Sequence, residues 1–169
     1  MQVIFAPWRL DYILSDKNSE SCIFCEMAEA EDDEAMLVVH RTRRSIVALN
    51  RYPYNNGHLM VAPSRHAGSL TELDDEELVD LFKTVRLCET ALAKSIRPEG
   101  LNIGINVGRC AGAGVLGHLH IHVVPRFSGD SNFMTTVSQV RVIPESLSDT
   151  FRQLKSVFTV IGADNDSKT

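Results

Sequence analysis

Three of the chain's six histidines, His118, His120 and His122, occupy every second position of "GHLHIHVVPR". In an extended strand alternate side chains point to opposite faces, so Leu119, Ile121 and Val123 can enter a core while three imidazoles share the other face. The core needs none of the three, which favours a chemical site over structural histidines. A single tri-histidine metal centre is hard to build without a sharp bend. At ~3.3 Å per residue the backbones of His118 and His122 lie ~13 Å apart, against a zinc–nitrogen bond of about 2.0–2.1 Å. Adjacent members can share an ion, which leaves the third for other work. Neutral imidazole near pH 7 is a usable nucleophile, and the phosphoramidate it forms is labile enough for a second acceptor to resolve. His120, with a neighbour on either side to orient it and bind oxygens, is the candidate for attack on phosphorus. Catalysis would then rest on positioning and charge stabilisation of an in-line displacement.

Two other features bear on that chemistry. Cys22 and Cys25 have zinc-knuckle spacing, and zinc takes four ligands, so the pair asks for two more from His40, His58, His66 or the histidine run. A redox pair or chance spacing is the alternative. Gly108, Gly112, Gly114 and Gly117 precede the histidines. Small residues let backbone N–H groups close on phosphate oxygens, which makes Gly112 and Gly114 candidate nucleotide-binding positions, although such a loop is equally a plain turn. Arg65 and Arg126 could offset phosphate charge or simply be surface residues. Cys110, in the glycine loop, is given no role.

The elements that must hold these residues follow from periodicity. "MLVVH", "SIVALN" and "GHLMVAP" are short β-branched or apolar runs separated by turn-formers such as "RYPYNNG", and they predict two or three antiparallel strands. "DDEELVDLFKTVRLCETALAKSI" places Leu78, Leu81, Phe82, Val85, Cys88, Leu92 and Ile96 on one helical stripe, opened by an Asp74–Glu77 capping box and stopped by "RPEG". "LNIGINVG" alternates Leu101, Ile103, Ile105 and Val107 against Asn102, Gly104 and Asn106, the period of a half-buried strand. "FSGDSNFMTTVSQVRVIP" reads as loop, and "ESLSDTFRQLKSVF" as a closing helix. The acidic run Glu29–Glu34 reads as solvated surface or a short helix. The expectation is one α+β domain over residues 1–160: an arm with the Cys pair (1–35), a core (36–127) and a C-terminal segment (128–160), followed by a disordered tail (161–169). An antiparallel sheet of about five strands would pack on one long helix plus the C-terminal helix.

The 169 residues are 44% hydrophobic and 23% charged, enough for one packed core. A formal charge of −5 argues against coating nucleic acid or a membrane surface, so an anionic ligand must meet a local positive site. No apolar run approaches the roughly 20 residues that span a bilayer, and the amino terminus lacks the order of a signal peptide. A cytoplasmic location is expected, with four cysteines kept as thiols or metal ligands.

The run from His118 to Val124 resembles the signature of the histidine-triad (HIT) nucleotide hydrolases and transferases. The likeness extends to "APWRLDYI", "LNRYPYNNGHLMVAPSRH", "GLNIGINVG" and "HVVPRFSGDSNF" with "RVIPESLSDTF", which are similar in order and spacing to the bacterial branch that includes diadenosine tetraphosphate phosphorylases. The resemblance covers the chain from about Ala6 to Phe158. It implies that His120 is the nucleophile, that His122 contacts the phosphate and leaving group, and that His58 is the additional histidine near the nucleotide. It also implies that Asn50 binds the ribose hydroxyls and that Asn106 lies on the phosphate side. In zinc-bearing relatives the metal is held at positions that correspond here to Cys22, Cys25, His66 and His118, which implies a structural zinc. Magnesium, by the same resemblance, would come only with the substrate. The family further implies a homodimer built through the long helix and the strand before the triad. One departure stands out: "AGAGVLG" has no hydroxyl where many members place a Ser or Thr against a phosphate oxygen.

The expected function is cleavage at the α-phosphate of a dinucleoside polyphosphate through a nucleotidyl-His120 intermediate. Phosphate as acceptor makes the enzyme a phosphorylase, and water makes it a hydrolase. A nucleoside phosphoramidase and a non-catalytic nucleotide-binding or sensing module are the other readings. A purely structural zinc protein would leave His120, His122 and His58 unexplained.

Overall fold

A computed structural model of the chain describes residues 21–130 and 145–166, with side chains through residue 162. The order of elements is α1 (Ile23–Glu29), β1 (Val38–Arg41), β2 (Ser45–Leu49), β3 (Leu59–Pro63), α2 (Asp75–Ser95), β4 (Gly100–Ile105), β5 (Ile121–Arg126) and α3 (Leu147–Asp166). The five strands form one antiparallel sheet in the order β1-β2-β3-β5-β4. The α+β architecture is the expected one.

Strand parity divides the molecule. Val47, Leu49, Leu59, Val61, Leu119, Ile121 and Val123, all at odd positions, pack with Leu81, Val85, Cys88 and Leu92 of α2 and with Phe151, Leu154 and Phe158 of α3. Residues at even positions face the other way. There Val38, Ile46, Ala48 and Ala62 bury Phe24 and Met27 of α1. Among the described residues this second face is covered only at the β1–β3 end, and the ground over β5 and β4 carries polar side chains.

Helix α2 opens with the expected reciprocal cap: the Glu77 N–H donates to the Asp74 side chain (2.7 Å) and the Asp74 N–H donates to Glu77 Oε2 (3.0 Å). Such a cap contributes about 1 kcal/mol. Its buried face runs Leu81, Thr84, Val85, Cys88, Ala91, Leu92. Phe82, expected on that stripe, is 54% exposed, because one residue past Leu81 turns it about 100° away from the sheet. The apolar alternation of β4 is likewise only half used. Leu101 and Ile105 pack against the core, while Ile103 is 48% and Val107 50% exposed. The cause is position, since β4 is an edge strand and Val107 lies beyond its end.

The closing helix forms and runs on to Asp166, into the segment expected to be a disordered tail. Helix α1 was not legible in advance, nor were the short 3-10 turns at Leu70–Glu72, Arg109–Ala111 and Ser128–Asp130. The "APWRLDYI" motif and most of the loop after Arg126 fall outside the described residues. Among the described residues no helix is long and apolar enough to cross a membrane.

Candidate active site and metal cluster

Strand β5 begins at Ile121, so only His122 lies within it, and His118 and His120 sit on the extended approach. Parity still carries through this segment: Leu119 and Ile121 enter the core, and the histidines take the opposite face. His58, just before β3, shares that face. In register, His122 is flanked by Met60 of β3 and Gly104 of β4. A Cβ added at Gly104 would meet nothing within 4 Å, so the surface beside His122 is open towards β4. The His120 and His122 ring centroids are 4.9 Å apart, and those of His58 and His122 are 5.1 Å apart.

Backbone partners determine which ring nitrogen carries each proton. The Tyr54 N–H donates to His58 Nδ1 (3.1 Å), so the neutral His58 ring is protonated on Nε2. That N–H lies 3.0 Å from His122 Nδ1 and donates to it, which leaves the His122 proton on Nε2. His120 Nδ1 is 2.9 Å from the carbonyl oxygen of His118, which can only accept. His120 therefore holds its proton on Nδ1 and keeps a lone pair on Nε2. A nucleophilic nitrogen thus stands beside an imidazole whose outer nitrogen is a hydrogen-bond donor.

Burial keeps these rings neutral. It lowers His58 to about 3, with His122 and His120 as lesser causes, and lowers His122 to about 4, with His120 adding to the effect. Burial also lowers His120, offset in part by its bond to the His118 carbonyl.

The other expected nucleotide contacts are distributed as follows. Asn50 lies against His58, with Nδ2 3.3 Å from His58 Nδ1, while its Oδ1 accepts the Tyr52 N–H (2.9 Å). Asn106 is half-buried just past β4, on the parity of the histidine face. In the glycine loop, Gly108 (φ 85°) and Gly112 (φ 86°) adopt backbone that disfavours side chains. The Gly112 N–H donates to the Arg109 carbonyl (3.1 Å), so Gly112 shapes the loop and its own N–H is spent. Among the described residues, the N–H groups of Arg109, Cys110, Gly114, Val115, Leu116 and Gly117 make no hydrogen bond, and the last four lead directly into His118. Arg65 is engaged by Glu77 (2.8 and 2.7 Å) and the Glu72 carbonyl, and Arg126 by Asp130 (2.7 Å) and Asn102 (2.6 Å). Both arginines are tied to acceptors within the protein. Of the two readings of these arginines, these pairs accord with surface residues in structural ion pairs.

A second cluster lies beside the first. The ligand atoms of Cys22, Cys25, His66 and His118 all fall within 4.8 Å of one another. Cys22 Sγ is 3.3 Å and Cys25 Sγ 3.7 Å from His118 Nδ1, and Cys25 Sγ is 3.2 Å from His66 Nδ1. Ligands at about 2.0–2.3 Å from a tetrahedral ion stand ~3.3–3.8 Å apart, so the four groups fit one ion. The His118 Nε2–H donates to the Pro63 carbonyl (2.8 Å), which turns the Nδ1 lone pair towards the sulfurs. Burial raises the Cys25 thiol, and the adjacent Cys22 raises it further, a penalty that a divalent cation would offset. A Cβ at Gly117 would stand 3.4 Å from His66 Nε2, so glycine lets the loop pass the ligand closely. His40, the remaining candidate ligand, instead stacks on Phe158 at 5.1 Å.

A HIT domain profile matches residues 31–129. The chain belongs to the HIT domain family. It is 39% identical over 162 residues to the AP-4-A phosphorylase of Mycobacterium tuberculosis, covering 91% of this chain and 83% of that protein. It is 34% identical over 106 residues to the adenosine 5'-monophosphoramidase of Schizosaccharomyces pombe, covering 63% of this chain and 74% of the relative. Among solved structures, a Zn-bound histidine triad family protein from Mycobacterium smegmatis superposes with a TM-score of 0.67 at 25% identity, covering 85% of this chain and 97% of that one.

Three residues of this HIT site went unread in the sequence. Phe24, between the two cysteines, is 1% exposed and packs on the rings of both His118 (5.2 Å) and His120 (4.9 Å). Its signal was an aromatic inside a Cys-x-x-Cys pair. Tyr54, which seemed part of a turn, stacks on His58 at 5.0 Å. Arg41 closes the C-terminal end of α1 by donating to the carbonyls of Met27 (2.8 Å), Ala28 (2.9 Å) and Ala30 (3.0 Å), and its Nε bonds Asp33 (2.9 Å). Asp33 also accepts from Lys155 of α3 (2.5 Å), so part of the acidic run is a structural tie and not free surface.

The buried imidazoles predict acid lability. Between pH 6.5 and about 3 the unfolded chain binds protons that His58 and His122 in the fold refuse, so stability present above pH 6.5 is lost as pH falls through this window. The urea midpoint of the wild type is expected to fall between pH 7 and pH 4, with a shallower fall in His58→Leu. Equal slopes would contradict the assignment.

Proposed function

We propose that this HIT protein cleaves dinucleoside polyphosphates by attack of His120 Nε2 on the α-phosphorus. The observation that carries the reading is the pair of fixed tautomers, a lone pair on His120 Nε2 beside an N–H on His122 Nε2. A bond forms between His120 Nε2 and phosphorus, and the bond from phosphorus to the bridging oxygen breaks. The departing oxygen takes its stabilising hydrogen bond from His122, whose donor is held outward by His58 behind it. The oxygens of the reacting phosphate meet the free N–H groups of Gly114, Val115 and Leu116, which substitute for the hydroxyl the loop lacks. Asn50 and Asn106 are assigned to the ribose and phosphate sides of the nucleotide.

The second half restores the enzyme. Phosphate attacks the nucleotidyl-His120 phosphorus, the phosphorus–nitrogen bond breaks, and a nucleoside diphosphate leaves. For diadenosine tetraphosphate the products are ATP from the first step and ADP from the second. The high identity to the AP-4-A phosphorylase over most of both chains supports phosphate over water as acceptor. Similarity to the phosphoramidase supports a second reading, in which the same nucleophile opens a phosphorus–nitrogen bond of a nucleoside phosphoramidate.

Cys22, Cys25, His66 and His118 are proposed to hold zinc, the ion suited to two thiolates and two imidazoles. The metal would fix the fold around His118 and take no part in the chemical step. A homodimer is proposed through the edge strand β4, with its exposed Ile103, and through α2, which exposes Val79 and Phe82, because edge strands and exposed apolar side chains are surfaces that pair.

Diadenosine tetraphosphate incubated with the protein is expected to give ADP and ATP only when inorganic phosphate is present, with His120→Ala reduced by at least about 10³-fold, the scale of losing a covalent nucleophile. AMP and ATP without phosphate would establish the hydrolase, and turnover of adenosine phosphoramidate alone the phosphoramidase. Full activity in His120→Ala would overturn every form of the proposal. Elemental analysis is expected to find about one zinc per chain, lost in Cys25→Ala. Sedimentation is expected to show a dimer, and a strict monomer would remove the interface.

A further inference from the structure

Phe24 occupies a place that core packing alone does not account for. It lies between Cys22 and Cys25 on α1, and its ring meets His118 at 46° and His120 at 32°. It thus touches a residue of the metal cluster and the reacting imidazole at once. The His120 ring is buried, and two ring contacts and one hydrogen bond bear on its orientation. Nδ1 is tethered to the His118 carbonyl, and His122 approaches at an angle of 77°. A hydrogen bond at Nδ1 fixes the tautomer and one edge of the ring, and contact with the broad face of Phe24 at 4.9 Å bears on its tilt.

The seat of Phe24 depends in turn on the cluster. Helix α1 has seven residues, too short to persist by itself. Its C-terminal end is closed by Arg41, but its N-cap, Cys22, makes no capping hydrogen bond from its side chain. Among the described residues, the polar side-chain contacts at that end are those of Cys22 and Cys25 with His118 and His66, beside the burial of Phe24 against Val38, Ile46, Ala48 and Ala62.

We propose that Phe24 is a positioning residue that transmits the seating of the metal ligands to the His120 ring. Drawing the two thiolates and two imidazoles together sets the N-terminal turn of α1, and the turn presses Phe24 on the imidazole that attacks phosphorus. His118 supplies a parallel route, with its ring in the cluster and its carbonyl holding His120 Nδ1. The inference rests on His120 being the nucleophile. It adds that occupancy of the metal cluster and occupancy of the phosphate site are coupled through one apolar side chain.

The test compares wild type with Phe24→Leu, with Phe24→Met as the substitute if the first does not fold. Two quantities are read: steady-state turnover of diadenosine tetraphosphate with phosphate, and zinc affinity by chelator competition with and without saturating AMP. The expected result is a kcat lower by about ten- to a hundredfold with KM within about twofold, the scale of a slightly misplaced reacting group. Coupling is reciprocal, so AMP is expected to tighten zinc binding several-fold in the wild type and not in the variant. Wild-type kcat together with wild-type coupling in a folded variant would overturn the proposal and leave Phe24 a core residue. If the wild type itself fails to turn over the dinucleotide, the proposed activity fails. The zinc measurement still decides this inference, since loss of the AMP effect in the variant supports it and an equal or absent effect in both chains overturns it.

Discussion

The site depends on His118 presenting two groups in two directions. Its ring is turned by the Pro63 carbonyl so that Nδ1 faces the two sulfurs, and its own carbonyl accepts from His120 Nδ1. One residue therefore belongs to a cluster that could hold an ion and fixes the tautomer of the neighbouring His120. Extended backbone makes this possible, because it separates the side chain of residue 118 from its carbonyl and returns residue 120 to the same face. The distance argument against a single tri-histidine centre has the same origin. The histidines are spaced for different tasks.

Around that arrangement the protein places unusual polar content in its interior. His58, His118 and His120 are 0%, 1% and 3% exposed, values otherwise typical of leucine and valine. Each is satisfied: His58 between the Tyr54 N–H and His122, His118 between Pro63 and the sulfurs, and His120 on the His118 carbonyl. Among the described residues no buried side-chain nitrogen or oxygen lacks a partner. Low polarity around these rings disfavours their charged forms, and fixed partners leave each neutral ring with one tautomer. The same burial that keeps these rings neutral opposes their protonation in acid.

The two faces of the sheet divide the labour. One face is fully packed by α2 and α3 and supplies stability. The other is covered by α1 over β1–β3, and among the described residues nothing apolar covers it over β5 and β4, where the polar groups gather. Arg41 ties α1 down at its C-terminal end and, through Asp33 and Lys155, links it to α3 on the opposite side of the sheet. The short helix that carries Phe24 and Cys25 is thus anchored to the rigid face of the molecule.

Much of this was legible in the sequence, for local reasons. Period-two alternation identified the histidine face, period 3.6 and the Asp74–Glu77 box identified α2, and motif resemblance placed His58 and the four metal-cluster residues. The errors were also local: Phe82 satisfied the helical period yet points outward, and β4 satisfied the strand period yet lies at an edge. Periodicity reports that an element has two sides and cannot report what covers them. The pairings that make the site span large separations, with His58 and His122 64 positions apart and Cys22 and His118 96 apart. So do the tie of Asp33 to Lys155, 122 positions apart, and the placement of Phe24 on His120. The sequence by itself determined which side chains share a strand face or a helix turn, because these follow from the geometry of one chain segment. Only the tertiary structure decided which nitrogen of each imidazole holds its proton, because that depends on how the fold aims a carbonyl or N–H group at the ring, from a near neighbour for His58 and His120 and from a segment distant in sequence for His118 and His122.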